Sequence, residues 1–147
     1  MKVNSKSGID KLLFGMKQKD VEALYGKPNK QFKDEDENII YLYNELKLRL
    51  TFYEDEAFRL GYIISSNSKL QLFDNFIIGK DINSVKINLK NNGIEVWEVE
   101  DFDSTENHFN ESNWIILQTE FNEIIRFEIG AIINDKDEFE WKFKYYF

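Results

Sequence analysis

Apolar positions along this chain fall into short blocks whose period changes, and the blocks recur. Ile9-Asp10-Lys11-Leu12-Leu13-Phe14-Gly15 returns as Phe73-Asp74-Asn75-Phe76-Ile77-Ile78-Gly79. Six residues after each glycine stands a valine, Val21 and then Val85, so every pair has the same offset (79 − 15 = 64; 85 − 21 = 64). A fixed offset of this length predicts a duplicated supersecondary unit. After Gly15, Val21 and Leu24 share one face at helical spacing and predict a helix from about Lys17. Gly26 occupies the place of a helix C-terminal glycine, and Pro28 cannot continue the helix. After Gly79, Asp81 is a good N-cap for a helix over 82–90, in the position that Lys17 holds in the first unit. Asn91-Asn92-Gly93 ends it.

Beyond each helix the period shortens to two. Residues 31–37 read as a polar connection and 39–43 as an apolar, aromatic strand. Leu46, Leu48, Leu50 and Phe52 alternate with Lys47, Arg49, Thr51 and Tyr53, the pattern of a strand with one wet face. A third strand is expected over 58–64. In the second half, strands are expected over 94–99, 114–119, 124–133 and 139–146, with a long polar insertion over 100–113. The sum is an α+β fold: a single domain, 1–147, of two tandem helix-then-antiparallel-meander repeats (about 7–66 and 70–147). The repeats are expected to form one sheet with helices on one face.

Composition narrows the function classes. Of 147 residues, 42% are hydrophobic and 16% aromatic, enough to build a core despite a charged fraction of 31%. Cysteine is absent, which excludes disulfides and thiol chemistry. The N-terminus has a basic start but no apolar core segment, so a signal peptide is not expected and a cytoplasmic location is. No stretch has the apolar length of a membrane span. Asn110-Glu111-Ser112 matches a glycosylation acceptor and reads as accidental. With 27 acids against 19 bases the net charge is −8, and the acids are clustered. This disfavours nucleic acid and favours a basic protein partner, whose encounter a negative surface accelerates.

The segment from Leu13 to Pro28 resembles the opening of the β-lactamase-inhibitor-protein-like fold and of the related small outer-membrane lipoprotein domain. The matching residues are Gly15, Met16, Val21, Gly26 and Pro28; in the second copy they are Gly79 and Val85. The resemblance implies repeats of paired helices packed on an antiparallel sheet, and a curved sheet with a concave face. These residues are structural, so the resemblance carries no functional residue. By type (small, acidic, aromatic-rich, without catalytic motifs) the chain is also similar to immunity proteins of bacterial toxin systems.

Candidate chemistry is sparse. The one histidine, His108, lies in the polar insertion and reads as a solvated loop residue. Zinc sites built on His and Cys and thiol nucleophiles are excluded, and no glycine loop cradles phosphate. Paired acids can hydrolyse glycosides or hold calcium, but Asp101, Asp103 and Glu106 lack the EF-hand spacing and its glycine. Acids interleaved with aromatics suit a surface that meets Lys and Arg around an apolar anchor. The candidate partner-binding residues are therefore Trp97, Glu98, Glu100, Asp101, Phe102, Asp103 and Glu106. The expected function is a cytoplasmic immunity protein occluding a basic toxin partner, with a nuclease the most concrete case. No enzyme activity, cofactor, metal, nucleic acid or membrane contact is expected, and the chain is expected to be a monomer or weak dimer. The alternative is a small-molecule- or lipid-binding α+β module.

Overall fold

The computed structural model describes residues 1–144. In chain order its elements are β1 (Lys2–Asn4), β2 (Gly8–Ile9), β3 (Leu12–Leu13), α1 (Gln18–Tyr25), β4 (Lys30–Lys33), β5 (Ile39–Tyr43), β6 (Leu48–Tyr53) and β7 (Arg59–Ser65). There follow β8 (Gln71–Leu72), β9 (Asn75–Phe76), α2 (Ile82–Lys90), β10 (Glu98–Phe102), β11 (Thr105–Asn110), β12 (Ile115–Glu120) and β13 (Glu123–Gly130). The fold is α+β and mostly strand. It contains two sheets rather than the single sheet expected. The short strands form one, in the order β3-β2-β1-β8-β9, and the long strands form an eight-stranded sheet, β10-β11-β12-β13-β7-β6-β5-β4. The extra sheet arises because residues 9–14 and 70–78, where the resemblance implies the first helix of each pair, contain short strands instead. Each folds as a tight hairpin that pairs with β1, antiparallel through β2 and parallel through β8.

Both glycines at the start of the helical segments are tied to the large sheet in the same way. The Gly15 N–H donates to the Leu60 carbonyl at 2.9 Å and the Gly79 N–H to the Ile124 carbonyl at 2.7 Å. In return the Leu60 N–H donates to the Met16 carbonyl at 2.7 Å and the Ile124 N–H to the Lys80 carbonyl at 2.9 Å. The acceptors share the offset seen in the sequence (124 − 60 = 64; 80 − 16 = 64). Gly15 and Gly79 have φ of 105° and 83°, a region in which a Cβ is strained. Val21 and Val85 are both buried, while Leu24, expected on the same face as Val21, is exposed. Asp81 caps α2 as expected, accepting from the Ser84 N–H at 3.1 Å.

The large sheet presents two alternating rows of side chains. Tyr43, Leu48, Ser65, Phe127, Leu117 and His108 are successive cross-strand neighbours, and most belong to the hydrophobic core. Leu42, Arg49, Ile64, Glu128, Ile116, Phe109 and Glu98 form the neighbouring row on the opposite, open face. On the core side Gln18 of α1 donates to the Tyr41 hydroxyl at 2.8 Å, and that hydroxyl donates to Glu22 at 3.1 Å. The Tyr43 hydroxyl, its pKa pushed up to about 12 chiefly by burial, donates to the Gly26 carbonyl.

Four local expectations are corrected. The connection at 31–37 contains most of β4, whose polar, mostly exposed residues suit an edge strand. The strand expected at 94–99 begins only at Glu98. The polar insertion over 100–113 is the β10–β11 hairpin, turning at Asp103, so its polarity marks a solvated edge rather than a loop. Residues 139–144 form no strand; 145 and 146 lie outside the described residues. Instead the Lys142 and Phe143 N–H groups both donate to the Phe14 carbonyl, and Trp141 lies so close to Gly15 that a Cβ there would approach it at 3.1 Å.

Candidate functional site

The hairpin β10–β11 carries five of the seven candidate residues on its two faces, with Asp103 in its turn and Trp97 before it. Every residue of β10 is exposed, and the strand is one edge of the large sheet. Glu98 pairs with Phe109 and Glu100 with Asn107, which places both acids on the open face. Phe102, half exposed, continues that side, and Asp103 sits in the turn. Asp101 pairs with Glu106 on the other side, towards α2. Trp97, just before the strand, packs partly buried against the core with the Lys86 ammonium 5.5 Å from its ring centre.

On the open face Glu98 and Glu100 border a cavity of about 310 Å³, completed by Tyr62, Asn107, Phe109, Trp114 and Ile116. Its wall depends on a glycine. Trp114 follows the turn closed by its own N–H to the Glu111 carbonyl and takes φ of 47°. Its indole then lies flat on β13 at Gly130, where a Cβ would stand 2.3 Å from Cδ1. Phe109 meets the indole edge-on, with centres 5.0 Å apart. Behind the cavity the Tyr62 hydroxyl donates to Glu128 at 2.5 Å, and Arg126 pairs with the other Glu128 oxygen at 3.2 Å. Burial, and then the Glu128 hydrogen bond, raise the Tyr62 pKa, so the hydroxyl keeps its proton and remains a donor.

The α2 side gathers a second set of groups. The Asp101 and Glu106 carboxyls share a hydrogen bond that raises the Glu106 pKa, with Lys86 partly offsetting the effect. His108 is not the solvated loop residue expected. It is buried in β11, with Nε2 3.3 Å from the Thr119 hydroxyl and 3.7 Å from Glu106. Desolvation, then the nearby Lys86, lower its pKa and favour the neutral ring. The polarity of the insertion concealed this, because an edge hairpin alternates one inward residue with several solvated ones. Asn110 is likewise buried, donating to the Val96 carbonyl and accepting from the Asn113 backbone and side chain, so its amide is not presented for glycosylation.

Among the described residues, no His, Asp and Glu side chains form a group of three that would hold a metal. No helix among them is long and apolar enough to cross a membrane. Tyr62, Phe109, Trp114 and Ile116 were not singled out in the sequence. The alternation Asn107, Phe109 was the available signal, and it is legible only once residues 105–110 are taken as a strand.

No family model matches the chain, and no curated protein matches it. Among solved structures, it is similar to an extracellular protein containing an SCP domain from Bacillus anthracis str. Ames. The TM-score is 0.53 at 13% identity, covering 87% of this chain and 49% of that one. The chain thus spans about half the length of that protein, and at this identity the likeness is one of fold alone.

Proposed function

We propose that the protein is a binding module that captures a basic protein partner on the open face of its large sheet, at the β10–β12 end. The observation that carries this reading is the cavity in which Glu98 and Glu100 stand beside Trp114, Phe109 and Tyr62. An interface gains most from a desolvated aromatic anchor ringed by complementary charge. Carboxylates at the rim attract Lys and Arg, and the indole beyond them supplies the apolar contact. Trp114, held open to this cavity, serves as the anchor in place of Trp97, which packs on the core. Asp101, Asp103 and Glu106 extend the negative rim around the hairpin, and half-exposed Phe102 adds apolar surface to it.

In its most concrete form this is an immunity protein that occludes a toxin domain, most naturally a nuclease whose phosphate-binding ground the acidic hairpin would cover. The chain is then a tandem duplication of a helix-and-meander unit with its two helices on one face, in the manner of the β-lactamase-inhibitor-protein-like fold. The shared offset in the Gly15 and Gly79 hydrogen bonds supports that origin. Occlusion needs no catalytic residue. A cytoplasmic location belongs to this reading; the extracellular description of the structural neighbour makes cell fractionation its first check. The shape of the cavity also favours one alternative, a small apolar ligand held between Trp114 and Ile116.

Affinity capture from the native cell, run in parallel with wild type and an E98K/E100K variant, separates these readings. A basic protein retained by wild type and lost by the folded variant supports capture. Retention of the same proteins by both, or of none that is basic, overturns it.

A further inference from the structure

The same open face carries a second pocket towards β5 and β6, of about 360 Å³, and its charge is reversed. In a chain of net charge −8, three cations (Lys47, Arg49 and Arg126) line it and no carboxylate does. Strand register brings them together. The Ser66 N–H donates to the Lys47 carbonyl, and the pairing of Ser65 with Phe127 sets Arg126 on the other side of Ser66. Arg49 is paired with Ile64, two positions along the same face. Like charges placed side by side on a sheet are destabilising unless something answers them. One carboxylate nearby does so in part: Glu128, the neighbour of Ile64, pairs with Arg126, while its other oxygen is taken by Tyr62. Arg126 Nε is buried and has no hydrogen-bond partner among the described residues. Three cations against one carboxylate leave a surplus of two positive charges among the lining residues, with the Arg49 guanidinium also 5.8 Å from the Phe32 ring centre.

We propose that this pocket binds a small phosphate monoester. A dianion balances the two remaining charges, whereas a monocarboxylate leaves one unanswered. The Lys47 ammonium, the Arg49 and Arg126 guanidinium groups and the Ser66 hydroxyl are the donor types that suit phosphate oxygens. Leu42 and Ile64 form an apolar wall for the organic part of the ester. The volume is at the lower end of the range for small-molecule sites. This site is separate from the acidic cavity, and neither proposal depends on the other.

The test is calorimetric titration of the full chain at low ionic strength with phenyl phosphate, inorganic phosphate and benzoate. The comparison proteins are a K47Q/R49Q variant and an E98Q control. Saturable binding is expected in the order phenyl phosphate, inorganic phosphate, benzoate. Loss of two charge-assisted contacts should weaken phenyl phosphate by about tenfold or more, and E98Q should leave it unchanged. Should K47Q/R49Q fail to fold, Lys47→Gln alone, on an exposed turn, supplies the comparison. No saturable binding, benzoate binding as well as phenyl phosphate, or a folded variant that binds like wild type would each overturn the proposal. Inorganic phosphate binding as tightly as phenyl phosphate would overturn the ester and leave an anion site only.

Discussion

Gly130→Ala probes the wall on which the binding proposal depends. Gly130 has no positive φ that would strain an alanine, so the backbone tolerates the change. Replacing glycine in a strand also stabilises by about 0.4–1 kcal/mol, through the lost freedom of the unfolded chain. Against this, the new Cβ would lie 2.3 Å from Trp114 Cδ1, 2.8 Å from Nε1 and 3.1 Å from Cγ. The indole already fills that space, so the ring must lift off the sheet. It then loses its edge-on contact with Phe109, worth about 0.5–1.5 kcal/mol, and part of its apolar burial, worth about 25 cal/mol per Å². With on the order of 60 Å² re-exposed, the loss is about 2–3 kcal/mol, and the net destabilisation is about 1–2.6 kcal/mol. Urea unfolding measures this, and tryptophan emission, shifted to longer wavelength, reports the displaced ring. Wild-type stability with unshifted emission would show that the indole does not rest on Gly130 and would remove the wall.

Other expectations follow from the same geometry. Val85→Ala, at a buried position of α2, should cost on the order of 1–3 kcal/mol by urea unfolding, and Val21→Ala a similar amount, because both valines face the core. His108→Ala should be destabilising by a comparable amount, since the ring is buried. Burial lowers the His108 pKa, so below the unfolded value of 6.5 the unfolded chain binds a proton that the folded chain refuses. Stability should therefore fall as pH drops from about 6.5 towards the folded value, by at most about 1.4 kcal/mol per pH unit; a His108→Gln variant should lack this slope. Glu106 acts in the opposite sense. Its raised pKa lets the folded state keep a proton above 4.5, a contribution lost as pH rises through the folded value, and E106Q should remove it in the same melts.

The sequence disclosed most where a side chain's role was local. The Gly15 and Gly79 breaks, the Asp81 cap and the alternation of Leu48, Leu50 and Phe52 were all legible, because each is set within a few residues. What it hid was set by pairing across the chain. The parallel pairing of β1 with β8 joins residues 2–3 to 71–72, and no local pattern announces it. The edge hairpin looked like a loop because most of its side chains meet water, and only its register shows that His108 turns inward while Glu98 and Glu100 turn outward. The acidic half of the candidate site was therefore visible as a run of residues. Its aromatic half, drawn from β7, β11 and the Trp114 turn, was not.

The most direct measurement is the dissociation constant of the captured basic protein for wild type, E98K/E100K and Trp114→Ala, each at low and at high salt. Rim charges act mainly on association and its salt dependence, and a buried anchor acts on dissociation. The charge-reversed protein should bind more weakly, with a flattened salt dependence. The Trp114 variant should keep the wild-type salt dependence and lose affinity by more than about tenfold through faster dissociation. Wild-type affinity and salt dependence in both folded variants would contradict the proposal that this face binds the partner.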